Sequence, residues 1–179
     1  SGLPGGIFHR RACEDAGLEV VVSPMSEWLK YITHRNIEDS LQDKRLKKVL
    51  AGTIKKHIQN RDERNINRHF RQVLKGVESD TDEILHISRQ YLSPRCGSEA
   101  VLSLGSGIEW LSNKDFSGVI SVMPHGCMPG GIVAAMADKL SEMHSKPWIS
   151  LTYDGFMESN NLTRITNFAE IVKFCQVNS

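Results

Sequence analysis

The last third of the chain alternates strand-like and helix-like segments, and this alternation limits the folds that it can adopt. From residue 119 the sequence runs through two apolar, β-branched stretches and two helical stretches in turn: VISVM, PGGIVAAMADKLSEMH, WISLTYD and NNLTRITNFAEIVKFCQ. Strand, helix, strand and helix joined by short links predict a parallel sheet with right-handed crossovers. We therefore expect an α/β fold with a small, Rossmann-like parallel sheet and flanking helices.

The first two thirds of the chain are predicted to be mainly helical. A helix over 6–16 ends at Gly17, and the apolar run LEVVVSP predicts a buried strand near 18–22 that joins the same sheet. Ser26 is expected to N-cap the helix SEWLKYI. Apolar spacing between 46 and 77 predicts two helices joined at RDERN. Further helices are predicted over DEILHISRQYL and SEAVLSLGSGIEWLSN, and the glycines inside the second one indicate close packing against a neighbour.

Charge is distributed unevenly along the chain. Residues 41–75 hold eleven basic and three acidic residues, a net charge of +8, whereas the remainder holds 11 basic and 18 acidic residues, a net charge of −7. A basic stripe can bind nucleic acid. However, aromatic residues are scarce there and no nucleic-acid motif occurs, so a solvated face or a docking surface for an acidic partner is the better interpretation. We expect no nucleic-acid partner.

Length and composition favour an ordinary globular protein. The 179 residues are 40% hydrophobic and 24% charged, and no apolar run approaches the roughly 20 residues that span a bilayer. We expect no membrane association and one α/β domain over 1–179, with 38–78 as a helical insertion. The start SGLPGGIFHRR lacks the apolar core of a signal peptide and predicts a fragment of a longer chain. Four scattered cysteines predict a reducing cytoplasm rather than a disulfide framework.

The turn PHGCMPGG, between the first predicted strand of the 119–175 region and its helix, is the main candidate for a site. In a parallel sheet, ligands bind outside the carboxyl ends of the strands. Gly126, Gly130 and Gly131 would let a ligand approach the backbone, and Pro129 suits the first helical turn. Cys127 directly precedes a helix N-terminus, which favours the thiolate form that binds iron or attacks an electrophile. The alternative is a free cysteine acting as a small hydrophobe.

The segment DGFMESN follows the next predicted strand and should lie at the same edge. Asp154, Glu158 and Asn160 could bind a cation or hydrogen-bond a ligand's hydroxyl groups, and Arg164 could pair with Asp154 or with an anion. Alternatively, Asp154 begins a turn, Ser159 or Asn160 caps the last helix, and Arg164 forms a surface ion pair.

Metal-binding side chains are few and separated in sequence. Cys96 precedes a predicted helix and could join Cys127 as a ligand, or it could be a loop cysteine without a role. Cys13 and Cys175 lie on apolar helix faces, which predicts core positions for both. His125 and His144 each lack a second histidine at ligand spacing, so neither is favoured as a ligand on its own. The sequence contains no P-loop and no dinucleotide-binding glycine motif.

Four segments resemble a known family. GSEAVLSLGSGIEWL, GVISVMPHGCMPGGIVAAM and LTYDGFMESNNLTRI are similar, in order, to the C-terminal part of the large activase-related proteins. The earlier VVVSPMSEWLKYI resembles the same family's segment before its long helices. These proteins belong to the 2-hydroxyacyl-CoA dehydratase and benzoyl-CoA reductase systems. The resemblance extends from about Gly17 to Phe174 and is most specific across 119–165.

The resemblance implies a fold like that of the dehydratase subunits, in which cysteines on sheet-edge loops hold a low-potential iron–sulfur cluster. It places Cys127 at the family's cysteine, and His125 stands where relatives often have phenylalanine. Cubane clusters usually need four ligands, commonly thiolates. The other ligands would come from Cys96, from chain upstream of Ser1 or from a partner subunit, so the fragment by itself is expected to bind no cluster.

The resemblance also implies partners. In these systems ATP-driven electron transfer starts from a separate actin-like ATPase module, and no segment of this chain matches that module. The expected partners are therefore ATPase and dehydratase-like modules of the same polypeptide, with a homo-oligomer left open. On this hypothesis the chain catalyses no reaction alone. Two alternatives remain: an enzyme or small-ligand-binding domain that uses Cys127 as nucleophile or contact, and an interaction domain that uses its basic helices.

Overall fold

The structure, a computed structural model, describes residues 5–70, 80–93, 96, 99–153 and 159–177. Over these residues the order of elements is α1 (Gly5–Asp15), α2 (Met25–Gln42), α3 (Leu46–Phe70), α4 (Thr81–Ser88), α5 (Ala100–Ser112), β1 (Val119–Pro124), α6 (Met128–His144), β2 (Trp148–Tyr153) and α7 (Ser159–Val177). This part of the chain is mostly helical with a small parallel sheet, so the coarse prediction of a mixed α/β fold is confirmed. None of its helices has both the length and the apolarity needed to cross a membrane.

The chain forms two compact units. One comprises Val22–Glu83, and the other comprises Ser1–Val21 together with Ile84–Ser179. The first is called the helical unit below, and the second is called the sheet unit. The description of residues 1–179 as one domain with an insertion at 38–78 stays a prediction.

The sheet unit is organised around a strand–helix–strand crossover. β1 and β2 pair in parallel, in a register that runs from Val119 opposite Trp148 to Pro124 opposite Tyr153, and α6 connects them. The predicted succession of strand, helix, strand and helix from residue 119 is therefore confirmed. Because the strands are parallel and in register, their carboxyl ends lie side by side.

The main core packs α5 and α6 against the sheet. Its buried members are Ala100, Leu104, Ile108, Leu111, Val119, Val133, Ala137, Leu140 and Trp148. α5 approaches its neighbours very closely, since a Cβ on Gly107 would lie 2.1 Å from the Trp148 ring and one on Gly105 would lie 2.4 Å from the Ile84 carbonyl oxygen. The close packing predicted from these two glycines is confirmed.

A second cluster packs α1 and α7 against β2. Cys13, Leu151 and Ile165 are its buried members, and Leu18 and Val20 pack on it while partly exposed. The strand predicted near 18–22 is wrong, because residues 18–24 form no strand ladder. At Gly17, with φ +85°, the chain turns back, and the Leu18 amide donates to the Cys13 carbonyl of α1. Of this apolar run, only Leu18 and Val20 pack on the cluster, whereas Val21 and Val22 are 40% and 64% exposed.

In the helical unit, α2 and α3 pack against each other. α2 begins at Met25 after Pro24, so the predicted N-cap at Ser26 is wrong. The break between the helices lies at residues 43–45, where Lys44 has φ 56°. α3 continues without interruption through RDERN, which contradicts the joint predicted there. That segment contains no glycine or proline to end a helix.

Candidate functional site

The turn after β1 is held by backbone hydrogen bonds. The His125 amide donates to the Tyr153 carbonyl at 2.5 Å, which carries the sheet contact one residue past the strand ends. Gly126 has φ +73°, a left-handed conformation that residues other than glycine rarely adopt. The Cys127 amide donates to the Pro124 carbonyl at 3.2 Å and closes the turn.

Cys127 is the N-cap residue of α6. Its backbone is extended, its side chain makes no capping hydrogen bond, and it is half-buried. Pro129 lies in the first helical turn, as predicted. His125, two residues earlier, is exposed. The turn therefore presents a partly accessible thiol between an exposed imidazole and a helix N-terminus, at the carboxyl end of β1.

The two glycines of the first helical turn have different roles. A Cβ on Gly130 would lie 2.5 Å from the Met123 sulfur, so the absence of a side chain there lets α6 pack on β1. Gly131 is exposed, and a Cβ on it would meet nothing within 4 Å. Its amide donates to the Cys127 carbonyl at 2.9 Å. Open space beside the backbone is thus found at Gly131, whereas internal packing explains Gly130.

The segment after β2 is described only from Ser159 onward. Asp154 and Glu158, both predicted to face the Cys127 turn, lie outside the described residues. Asn160 and Arg164 are exposed on the first turns of α7. Because α7 begins at Ser159, Asn160 is already a helical residue and does not serve as the N-cap predicted for it.

Tyr153, at the end of β2, and Asn161, at the start of α7, were not found by sequence reasoning. Asn161 is buried, and its Nδ2 donates to the Thr152 carbonyl at 2.9 Å, which attaches the start of α7 to the strand end. Burial, and then the charge of nearby Cys13, raises the pKa of Tyr153 to about 12. The only sequence signals were an asparagine pair at a helix start and a tyrosine ending an apolar strand.

The other cysteines are dispersed. Cys13 is in the core as predicted, and burial followed by the charge of Glu14 raises the pKa of its thiol. Cys175 is half-buried on α7 rather than fully in the core. Cys96 is exposed ahead of α5, and its amide donates to the Ser93 carbonyl. Over the described ranges, no three Cys, His, Asp or Glu side chains come together as a metal site, so Cys96 and Cys127 belong to no such group there.

Comparison with known proteins adds no family, since no family model, curated protein or solved structure matches this chain. The family suggested by the sequence segments, together with its function, therefore stays a prediction. The structural observations that bear on it are the parallel register of β1 and β2 and the partly accessible thiol beside their ends.

Proposed function

We propose that this chain is a non-catalytic module of an activase-related protein in a CoA-ester dehydratase or reductase system. In this proposal the sheet unit is Rossmann-like and similar to a dehydratase subunit, and Cys127 supplies one thiolate to an iron–sulfur cluster used in low-potential electron transfer. The observation that carries the proposal is the position of Cys127: a half-buried thiol in a tight turn where two parallel strands end together.

The geometry of this edge supports a ligand-facing role. In open α/β sheets, ligands bind outside the carboxyl ends of the strands. Pro124 and Tyr153 are paired, so the Cys127 turn leaves the sheet beside the last residue of β2. Gly126 and Gly131 leave open space beside the backbone of the turn. A bulky inorganic group could approach the Cys127 sulfur here.

The cluster requires ligands beyond Cys127. Cubane clusters are commonly held by four cysteine thiolates. In the proposal Cys96 is one candidate, since it is exposed in the same unit, and the others come from additional modules of the polypeptide or from a partner subunit. The ATPase module that drives the electron transfer is likewise a separate module.

The test is anaerobic reconstitution of the full-length protein with iron and sulfide. Cys127→Ser is compared with Cys175→Ser, a matched control because Cys175 is also half-buried in the sheet unit but lies far along α7 from the strand ends. We expect Cys127→Ser to lose most of the iron and the visible absorption of the cluster, while Cys175→Ser retains both. Circular dichroism of both variants verifies that they are folded. Equal iron content and identical spectra in the two variants would refute the proposal.

A further inference from the structure

The contact between α2 and α3 is rich in charged side chains. Lys30 and Glu63 form an ion pair across it with side chains only 12% and 17% exposed. Lys56 Nζ lies 2.6 Å from Asp82 Oδ2, and His34 Nδ1 lies 3.0 Å from Asp82 Oδ1. In the helical unit, therefore, the face of α3 that is turned toward its neighbours carries these polar groups together with Gly52, where a Cβ would lie 2.6 Å from Ile37 Cγ1.

The apolar residues of α3 lie on a different face. Leu46, Leu50, Ile54 and Ile58 follow one another at four-residue steps and are between 46% and 76% exposed. These four residues are called the apolar stripe. Residues four apart lie on one side of a helix, so the stripe is a continuous ridge about three turns long. Soluble helices normally turn such a ridge toward a core, so this helix has the opposite arrangement.

The same side of α3 becomes cationic beyond the stripe. Arg61, Arg64 and Arg68 follow at three- and four-residue steps and are exposed. They are called the arginine row. Arg61 lies 3.5 Å from the exposed Asp62 carboxylate, and Arg64 Nε donates to the Asn60 carbonyl of its own helix. The face thus offers about three turns of apolar contact followed by about two turns of guanidinium groups.

From this face we propose that α3 is a docking surface for an acidic amphipathic helix of a partner protein. The apolar ridge of the partner packs on the apolar stripe, as ridges of i and i+4 residues do between helices. Carboxylates further along the partner helix pair with the arginine row, where planar guanidinium groups can bind them in bidentate fashion. Charge complementarity selects this partner.

Two other occupants fit the face less well. A second copy of α3 packed in parallel would set one arginine row against another, and an antiparallel copy would bring the arginine row toward Lys47, which lies on the same side of the helix. Both arrangements place like charges together. A helix that lies on a lipid surface keeps its apolar face along its length, whereas this face is apolar only in its first half.

The proposal is tested with three labelled peptides and the full chain. The first is a helical peptide with leucines at four-residue intervals in one half and glutamates at three- and four-residue steps further along the same side. The second replaces the glutamates by lysines, and the third replaces the leucines by glutamines. By fluorescence anisotropy, we expect the first peptide to bind in the micromolar range, more weakly as salt is added. We expect the other two to bind at least about tenfold more weakly.

Matched variants locate the binding face. Ile54→Gln is compared with Ile66→Gln, because both isoleucines are similarly exposed, at 54% and 57%, but Ile66 lies about 120° around the helix. Arg64→Glu is compared with Lys48→Glu, which lies away from the arginine row. We expect Ile54→Gln and Arg64→Glu to weaken binding of the first peptide about tenfold and their controls to change it less than about twofold.

Several results would overturn this inference. They are no binding of the first peptide at about 100 μM, equal binding of the acidic and basic peptides, and equal effects of the matched variants. Tighter binding to anionic lipid vesicles that depends on Ile54 would assign the face to a membrane instead. Self-association in sedimentation that Ile54→Gln abolishes would assign it to a second copy. None of these variants changes Cys127, so failure of peptide binding and failure of the iron reconstitution can be distinguished.

Discussion

At the scale of single residues, the close packing of Gly107 restricts which amino acid can occupy that position. Gly107 lies against the ring of Trp148, whose Nε1 donates to Ser121 Oγ at 2.7 Å. The ring is therefore fixed from two sides and cannot withdraw easily. We expect Gly107→Ala to lower the free energy of unfolding by about 1–3 kcal/mol, as overpacking does, measured by urea denaturation.

Gly131→Ala is the control for this substitution. It lies in α6, is exposed, and a Cβ there meets nothing within 4 Å. Alanine is the better helix former, so this variant should be unchanged or more stable by up to about 1 kcal/mol. If Gly107→Ala were as stable as Gly131→Ala, the close contact between α5 and the Trp148 ring would be contradicted.

Thiol reactivity is a second property that is decided residue by residue. Cys13 is 3% exposed, and burial followed by the charge of Glu14 raises its pKa, so little thiolate is present at neutral pH. We expect iodoacetamide to modify Cys13 at least about tenfold more slowly than Cys96 in the native protein. Mass spectrometry of peptides measures the rates, and denatured protein, in which the difference should vanish, is the control. Comparable native rates would contradict the burial of Cys13.

At the scale of helices and strands, hydrophobic periodicity predicted those elements whose burial follows a simple pattern. The region from residue 119 was predictable because β1 and β2 are short β-branched runs and α6 and α7 follow with helical spacing. The run at 18–22 has the same composition as a strand, but it forms no ladder: Leu18 and Val20 pack on the second cluster, and Val21 and Val22 are exposed. Composition does not distinguish these two outcomes, because ladder formation depends on where the neighbouring strands lie.

The helical unit shows the complementary limit of prediction. A joint at RDERN was predicted because it lies between two stretches of apolar helical spacing, but arginine and glutamate are good helix formers, and α3 continues through it. The actual break, at Lys44, has no glycine or proline to announce it. The apolar spacing of α3 was predicted, but the exposure of the apolar stripe was not. A sequence pattern does not show which side of a helix its neighbours cover.

Much the same division applies to the candidate site. The position of the Cys127 turn at the end of a parallel strand follows from the order of elements, so it was predictable. The packing of Gly130 on Met123 and the hydrogen bond from Asn161 to Thr152 depend on contacts between elements that are distant in sequence. Such contacts leave no local signal in the sequence, so the roles of Gly130 and Asn161 could not be predicted from it.

At the scale of the whole molecule, the two units differ in what stabilises them. The sheet unit has a contiguous apolar core, whereas ion pairs contribute to the contacts of the helical unit. Asp82 connects the start of α4 to both Lys56 and His34. Burial alone would raise the pKa of Asp82, but the hydrogen bonds and charges of Lys56 and His34 outweigh burial and lower it.

A lowered pKa in the folded state makes the helical unit sensitive to acid. The contribution of Asp82 is present above the pKa of an unfolded aspartate, about 3.9, and is lost as pH falls through the lower folded value. We expect hydrogen-exchange protection of α2 and α3 to decline in that range while α5 and α6 remain protected.

The substitution Asp82→Asn tests this explanation. Because Asp82 is about half exposed, Asp82→Asn should lower the free energy of unfolding by less than about 1 kcal/mol at neutral pH and should flatten the decline in protection. Asp138→Asn, an exposed change on α6, should leave it intact. An identical acid profile in the Asp82 variant would show that other groups govern the transition.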